Sequence, residues 1–268
     1  MTRDAAPRPP KKPAWAVAKD RARRLGPDTV WLFGLHAVRD ALANPRRDRR
    51  RLILTPNAAQ RIGAEAIAAG GLSPETADPR RFPKVLDPQS VHQGAAMEVA
   101  PLDWGPLDEV CAPQGPDDLV VLLDRVTDPH NVGAILRSAE VFGARAVVAP
   151  ARHAAPETGA LAKTASGALE RQPYLRVKNL STAMEGLRAL GYALIGLDGE
   201  AERTLPQALA TLPPGPVALA LGAEGPGLRE KTRETCDALA RISSAAAFAS
   251  LNVSNAAAVS LYAARSRG

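Results

Sequence analysis

The 268-residue sequence has almost no cysteine. Cys111 and Cys236 stand alone and far apart, which supports neither a disulfide framework nor a zinc site, and both read as buried or incidental thiols. No apolar run approaches the roughly 20 residues of a membrane span, and the basic amino terminus has no apolar signal core. No membrane partner is expected, and a cytoplasmic location is. Internal repeats are lacking as well, and the glycine-rich string Gly222-Ala223-Glu224-Gly225-Pro226-Gly227 does not have the GxGxxG spacing of a dinucleotide site.

What the chain does have is 46% hydrophobic residues, enough for one large or two ordinary folded domains, and an uneven charge. The net charge is +6, yet the first 51 residues carry fourteen Lys or Arg, among them Arg46, Arg47, Arg49, Arg50 and Arg51, against five Asp. That front is therefore +9 and the remainder −3. A basic front on a mildly acidic body suits capture of a polyanion; a solubilising tail would look the same.

The pattern predicts a basic, disordered extension over 1–28, rich in Pro, Ala, Lys and Arg. A small α/β unit follows over 29–100. In it, Val30–Asn44 passes from an apolar run into helical spacing, Arg50–Thr55 reads as a strand, Ala58–Ala69 as one alanine-rich helix, and Lys84–Leu86 and Ala95–Val99 as short strands. Residues 101–116, with four prolines and two glycines, read as a linker. Over 117–268 strands and helices alternate, which implies a mostly parallel sheet with helices on both faces. The strands are Leu119–Leu123, Ala146–Ala149, Tyr174–Val177, Ala193–Leu197 and Val217–Gly222; the helices are Asn131–Phe142, Glu157–Ala168, Leu180–Leu190 and Asn252–Arg265.

Three segments begin where a strand-like run stops and a helix-like pattern starts, the place where open α/β sheets put ligand loops. They are DRVTDPHNVGAILRSAEVFGA (Asp124–Ala144), LGAEGPGLRE (Leu221–Glu230) and SLNVSNAAAV (Ser250–Val259). Asn131 reads as a helix cap or a polar site group, and Arg137, six residues on, can reach back toward the helix start. Gly222, Gly225 and Gly227 allow close backbone approach to a flat ligand, and Glu224 adds one acid. Ser250, Leu251 and Asn252 open the last helix.

In this order and spacing the three segments resemble the motifs of the SpoU (TrmH) family of RNA ribose 2′-O-methyltransferases, within the SPOUT superfamily. The first matches at Asn131, Gly133 and Arg137 without a gap. The resemblance covers nearly everything after Thr29. Phe33-Gly34-Leu35-His36-Ala37-Val38 and Val91-His92-Gln93-Gly94 look like the two ends of the small RNA-binding domain of the family's ribosomal RNA branch. The resemblance implies catalytic roles for Arg137, Asn131, Asn252 and Ser250. It implies an S-adenosyl-L-methionine pocket that includes Leu221, Gly222, Glu224, Gly225, Ile242 and Leu251, with no metal. It also implies an α/β fold with a carboxyl-terminal trefoil knot, a homodimer, and large-subunit ribosomal RNA as partner, most specifically a guanosine of 23S rRNA. The sequence departs from the family at Ile242-Ser243-Ser244 and Ala246, where Ile-Pro-Met and a glycine are common.

The implied reaction is attack of a ribose 2′-oxygen on a sulfonium methyl, which needs alignment and loss of one hydroxyl proton. A guanidinium is always protonated, so Arg137 suits a phosphate contact and stabilisation of developing alkoxide better than the role of a base. Val253, Ala257 and Leu261 form an apolar stripe on the last helix, available to a subunit interface or to packing within one subunit. Action on tRNA, antibiotic resistance through rRNA methylation, and an RNA-binding factor without catalysis are the alternatives; Asn131, Arg137, Glu224 and Asn252 argue against the last.

Overall fold

The computed structural model describes residues 29–78, 82, 86, 90–244 and 251–267. The extension expected over 1–28, Lys84 and Val85 of an expected strand, Ala246 and Ser250 lie outside them.

Val30–Phe33 (β1) turns directly into Leu35–Ala43 (α1) at Gly34, whose φ of +93° is open to glycine and strained for other residues. Leu35, Val38, Ala41 and Leu42 form the buried face of α1, as the spacing predicts. After Arg49–Leu54 (β2), Thr55 caps Pro56–Ile62 (α2) by accepting from Ala58 N. The single alanine-rich helix expected here is two: Gly63, with φ +92°, separates α2 from Ala64–Ala69 (α3). Glu75–Thr76 (β3) and Ala95–Val99 (β4) complete a sheet in the order β1-β4-β2-β3, antiparallel except for the β2–β3 pair.

The proline-rich stretch after it is less free than a linker. Leu102 and Cys111 are buried, and Leu107–Val110 (α4) forms one helical turn.

From Leu119 onward the expected alternation appears. Leu119–Asp124 (β5), Pro129–Val141 (α5), Ala144–Pro150 (β6), Gly159–Ala165 (α6) and Tyr174–Val177 (β7) come first. Leu180–Ala189 (α7), Ala193–Leu197 (β8), Leu205–Ala210 (α8), Val217–Gly222 (β9), Glu230–Thr235 (α9), Ala238–Ala240 (β10) and Val253–Arg265 (α10) follow. The strands form one parallel sheet ordered β10-β8-β9-β5-β6-β7. The helix expected over Glu157–Ala168 is shorter, and Ala168–Glu170 forms a separate 3₁₀ turn.

Alternation along β5 divides the core between two layers. Leu119, Val121 and Leu123 pack with Val132, Ile135 and Leu136 of α5 and with Val253, Ala257 and Leu261 of α10. Val120 and Leu122 face the other way, toward Leu180, Met184 and Leu187 of α7. The α10 stripe is thus internal packing. The first layer is continuous with the four-stranded sheet, since Leu32, Val38, Leu52 and Met97 belong to the same cluster.

Arg47 departs from its expected place in a polyanion-binding front. Its buried guanidinium pairs with Glu157 at 3.1 Å and Glu170 at 2.7 Å and donates to Ala100 O at 2.8 Å. Asn44 Nδ2 donates to Glu170 Oε2 at 2.8 Å, and Glu157 Oε1 accepts from Leu102 N at 3.2 Å. This cluster ties α1 and β4 to the segments flanking α6. The fit is close: a Cβ on Gly159 would lie 2.2 Å from the Phe33 ring and 2.6 Å from Trp31 O.

Candidate active site

The strand order places the site. β5 and β9 are neighbours, and Asp124 and Gly222 at their carboxyl ends are register partners. The chain leaves β5 toward β6 and β7, while β8 and β10 lie beyond β9. The loops after β5 and β9 therefore open at a point where strand order reverses, the position at which α/β sheets hold ligands.

Asp124 fixes these two loops together. It is fully buried and accepts from Arg229 N at 2.9 Å and Arg229 Nε at 2.6 Å, so the chain beyond the glycine string is anchored to the end of β5. Gly222 is required by close approach, because a Cβ there would meet Gly227 C at 2.1 Å. Gly225 and Gly227, with φ of +82° and +69°, carry the chain through backbone that other residues rarely adopt.

The first motif folds so that Asp128, not Asn131, caps α5, by accepting from His130 N at 2.9 Å. Asn131 is left free to face the site. Its Nδ2 donates to Glu224 Oε1 at 3.1 Å. Asn252 caps α10 by accepting from Ser254 N at 2.9 Å, which sets its amide orientation. Its Nδ2 then donates to Asn131 Oδ1 at 2.9 Å and to Glu224 Oε1 at 2.6 Å. One residue from each motif thus enters a single hydrogen-bonded group, and Glu224 Oε2 has no partner among the described residues.

Beside this group lies a cavity of about 360 Å³. Leu221, Gly222, Glu224, Gly225, Ile242 and Leu251, all singled out from sequence, line it. Sequence reasoning missed Leu197, Asp198 and Gly199 of the same wall. The signal was present, since Asp198-Gly199 directly follows the apolar run of β8 at the same sheet edge. Asp198 is held by an ion pair with Arg233 and by donation from its own N to Ala240 O at 2.9 Å. Ser243 and Ser244, of the divergent stretch, also line the cavity.

Arg137 is exposed on α5 and has no ion pair or side-chain hydrogen bond among the described residues. It is not a lining residue of the cavity. Gly133, one turn earlier, serves packing: a Cβ there would lie 2.7 Å from Leu161 O and 2.9 Å from Ala165 N of α6. His36 is exposed, whereas His92 Nδ1 accepts from Gly94 N at 3.1 Å and burial lowers its pKa.

The SpoU rRNA methylase family profile matches residues 118–262, which contain Asn131, Glu224, Asn252 and the residues that line the cavity. The chain belongs to that family. A second profile, described as RNA 2′-O ribose methyltransferase substrate binding, matches residues 31–104 of this SpoU protein. It is similar to the 23S rRNA (guanosine-2′-O-)-methyltransferase RlmB of Vibrio vulnificus, with 36% identity over 87% of this chain and 94% of the relative. The corresponding Pseudomonas aeruginosa RlmB is 38% identical over 86% of this chain and 94% of its own. Among solved structures, the SpoU methyltransferase AviRb from Streptomyces viridochromogenes in complex with AdoMet superposes with TM-score 0.73 at 25% identity, covering 95% of this chain and 97% of the other.

Proposed function

We propose that this SpoU protein transfers a methyl group from S-adenosyl-L-methionine to a ribose 2′-oxygen of RNA, at a guanosine of 23S ribosomal RNA. The observation that carries the reading is the convergence of Asn131, Glu224 and Asn252, one from each motif, beside a lined cavity at the strand-order reversal. The near full-length similarity to RlmB proteins supports the nucleotide and the RNA.

The cavity fits the cofactor in size and lining. Its volume is in the range of small-molecule pockets, with Leu197, Leu221, Ile242 and Leu251 for an adenosine face and glycine backbone for polar contacts. Bound there, the cofactor supplies a sulfonium methyl to a nucleophile. Asn131 and Asn252 hold the Glu224 side chain in one orientation, which shapes the cavity rim. Arg137, uncommitted within the chain, holds a phosphate beside the target ribose and stabilises the 2′-oxygen as its proton passes to an oxygen of that phosphate or another neighbouring acceptor; the C–O bond forms as the sulfonium C–S bond breaks, and S-adenosylhomocysteine leaves. Ser250, the other catalytic residue that the family resemblance implies, lies outside the described residues.

The functional division is 29–100 for RNA capture and 117–268 for methyl transfer, joined by 101–116 and preceded by a basic extension over 1–28. The chain beyond β9 forms a trefoil knot; folding of the glycine string back against Gly222 and the return of α10 onto β5 and β9 support it. The protein is a homodimer through α5 and α10. Their outer surface exposes Val141, Val259 and Tyr262, with Phe142 and Tyr262 in edge contact at 6.2 Å.

The test is methylation of 23S rRNA fragments with labelled S-adenosyl-L-methionine, followed by mapping of the modified ribose. One 2′-O-methylguanosine is expected. Label on a base, or transfer to tRNA alone, contradicts the reading.

A further inference from the structure

Two sets stand out among the described arginines and lysines. Those of the run Arg46–Arg51 are engaged within the molecule. Arg47 is buried against two carboxylates, Arg49 donates to Leu42 O at 2.5 Å, Arg50 pairs with Asp48 at 2.6 Å and Arg51 with Glu75 at 2.9 Å. Arg46 lies 4.6 Å over the Trp104 ring and donates to Asp103 O at 3.0 Å. A second set is exposed and has no ion pair or side-chain hydrogen bond among the described residues. Arg125, Arg137, Arg152, Lys163 and Lys178 belong to it, along with Arg61 and Arg203 elsewhere.

Three of the free cations stand at the carboxyl ends of consecutive strands. Leu122 pairs with Val148, and Pro150 with Val177, so the residues that follow β5, β6 and β7 start side by side. Arg125 is the first residue after β5, Arg152 the second after β6, and Lys178 the first after β7. At ~4.8 Å between strands they span roughly 10 Å of one edge. The loops are joined, since Ala155 N donates to Val126 O at 3.3 Å. Their backbone is also unusual: Arg125 and His153 have φ of +63° and +61°, a region that side-chain-bearing residues avoid and that concentrates at functional sites.

The nearby carboxylates do not neutralise this edge. Asp124 and Glu157 are buried against arginines, and Asp128, exposed at the start of α5 where it accepts from His130 N, offsets at most one of the three cations. The edge continues toward the small sheet, because a ring nitrogen of His130 lies 3.0 Å from Thr164 Oγ1 and the stem of the neighbouring Lys163 lies against Gly34.

We propose that, beside the substrate contacts of residues 29–100, the RNA backbone is also held on this strand-end edge of the methyl-transfer unit by Arg125, Arg152 and Lys178, extended by Lys163, and not on the Arg46–Arg51 run. Phosphates are the chemical class recognised, by sequence-independent cation contacts. The proposal rests on the reading that RNA is the substrate, and it names the surface that binds it.

The test titrates a 23S rRNA fragment into full-length protein at several salt concentrations, with S-adenosyl-L-methionine binding measured separately. The variant Arg125→Gln/Arg152→Gln/Lys178→Gln should bind RNA at least about tenfold more weakly, and its slope of log affinity against log salt should fall by about 2 to 3. Cofactor affinity should stay within about twofold, which reports an intact fold. Arg50→Gln/Arg51→Gln should leave RNA affinity within about twofold. If the triple variant does not fold, Arg152→Gln and Lys178→Gln tested singly should each reduce the slope by about 0.7 to 0.9. An unchanged slope in these variants, or an equal loss in the Arg50/Arg51 control, overturns the surface while leaving the substrate reading intact. A wild-type protein that retains no RNA at low salt overturns both.

Discussion

Asn252 and Asn131, from the last and first motifs, are joined by one hydrogen bond of 2.9 Å. Asn252 has a second duty in the same side chain, since its Oδ1 caps α10 while its Nδ2 serves Asn131 and Glu224. Replacing it should therefore affect stability and activity together. Asn252→Ala removes a cap, which costs about 1 kcal/mol, and two bonds at the site. Asn252→Ser, which keeps capping chemistry, should recover most of the stability without the activity. Thermal melts and methyl-transfer rates on the pair check this; recovery of both by Ser would show that the cap alone matters.

Arg47 should be among the most sensitive positions outside the active site. Its removal leaves Glu157 and Glu170 buried without their cation, and breaking a buried pair in this way costs about 3–5 kcal/mol. Burial already raises the pKa of Glu157, against the pull of the Arg47 charge. A chemical denaturation midpoint measured for Arg47→Met should drop sharply, and Arg47→Met combined with Glu157→Gln and Glu170→Gln should regain part of the loss. An Arg47→Met midpoint equal to wild type would contradict the clamp.

Both thiols should be inert in the folded protein. Burial pushes Cys111 and Cys236 up to about 12. A raised folded-state pKa favours the neutral thiol, so this contribution to stability is complete below the unfolded value of about 8.5 and is lost as pH rises toward about 12. Iodoacetamide at about pH 8 should label neither cysteine without denaturant and both with it. The melting temperature should decline above about pH 9. Rapid labelling of the native protein at pH 8 would contradict the burial argument.

The parallel sheet was legible because its strands are short apolar runs separated by helical spacing, whereas the cavity residues Leu221, Gly222, Glu224, Gly225, Ile242 and Leu251 were named through the resemblance of the motifs to a family. Two kinds of information were not legible. Gly63 breaks the alanine-rich segment into α2 and α3 although local composition favours one helix, because its backbone turns through φ +92°. The run Arg46–Arg51 reads as a free basic patch, yet its partners Glu75, Glu157 and Glu170 are distant in sequence and reach it only through tertiary packing. Asn131 shows the converse: its capping chemistry suited a helix start, but Asp128 takes that role and leaves its amide for the site. β3, α8, α9 and β10 are too short to show a period.

The central claim is that Arg137, exposed and uncommitted on α5, acts on the reacting ribose and not in folding. The decisive measurement is single-turnover methyl transfer to 23S rRNA by Arg137→Ala, alongside its cofactor affinity and melting temperature. A rate loss of about 10²–10³ or more is predicted, the scale of removing one preorganised charge-stabilising group. Cofactor affinity should remain within a few-fold, and stability within about 0.5 kcal/mol, as for a surface residue. Transfer at a near-wild-type rate by a folded, cofactor-binding Arg137→Ala protein would contradict the account.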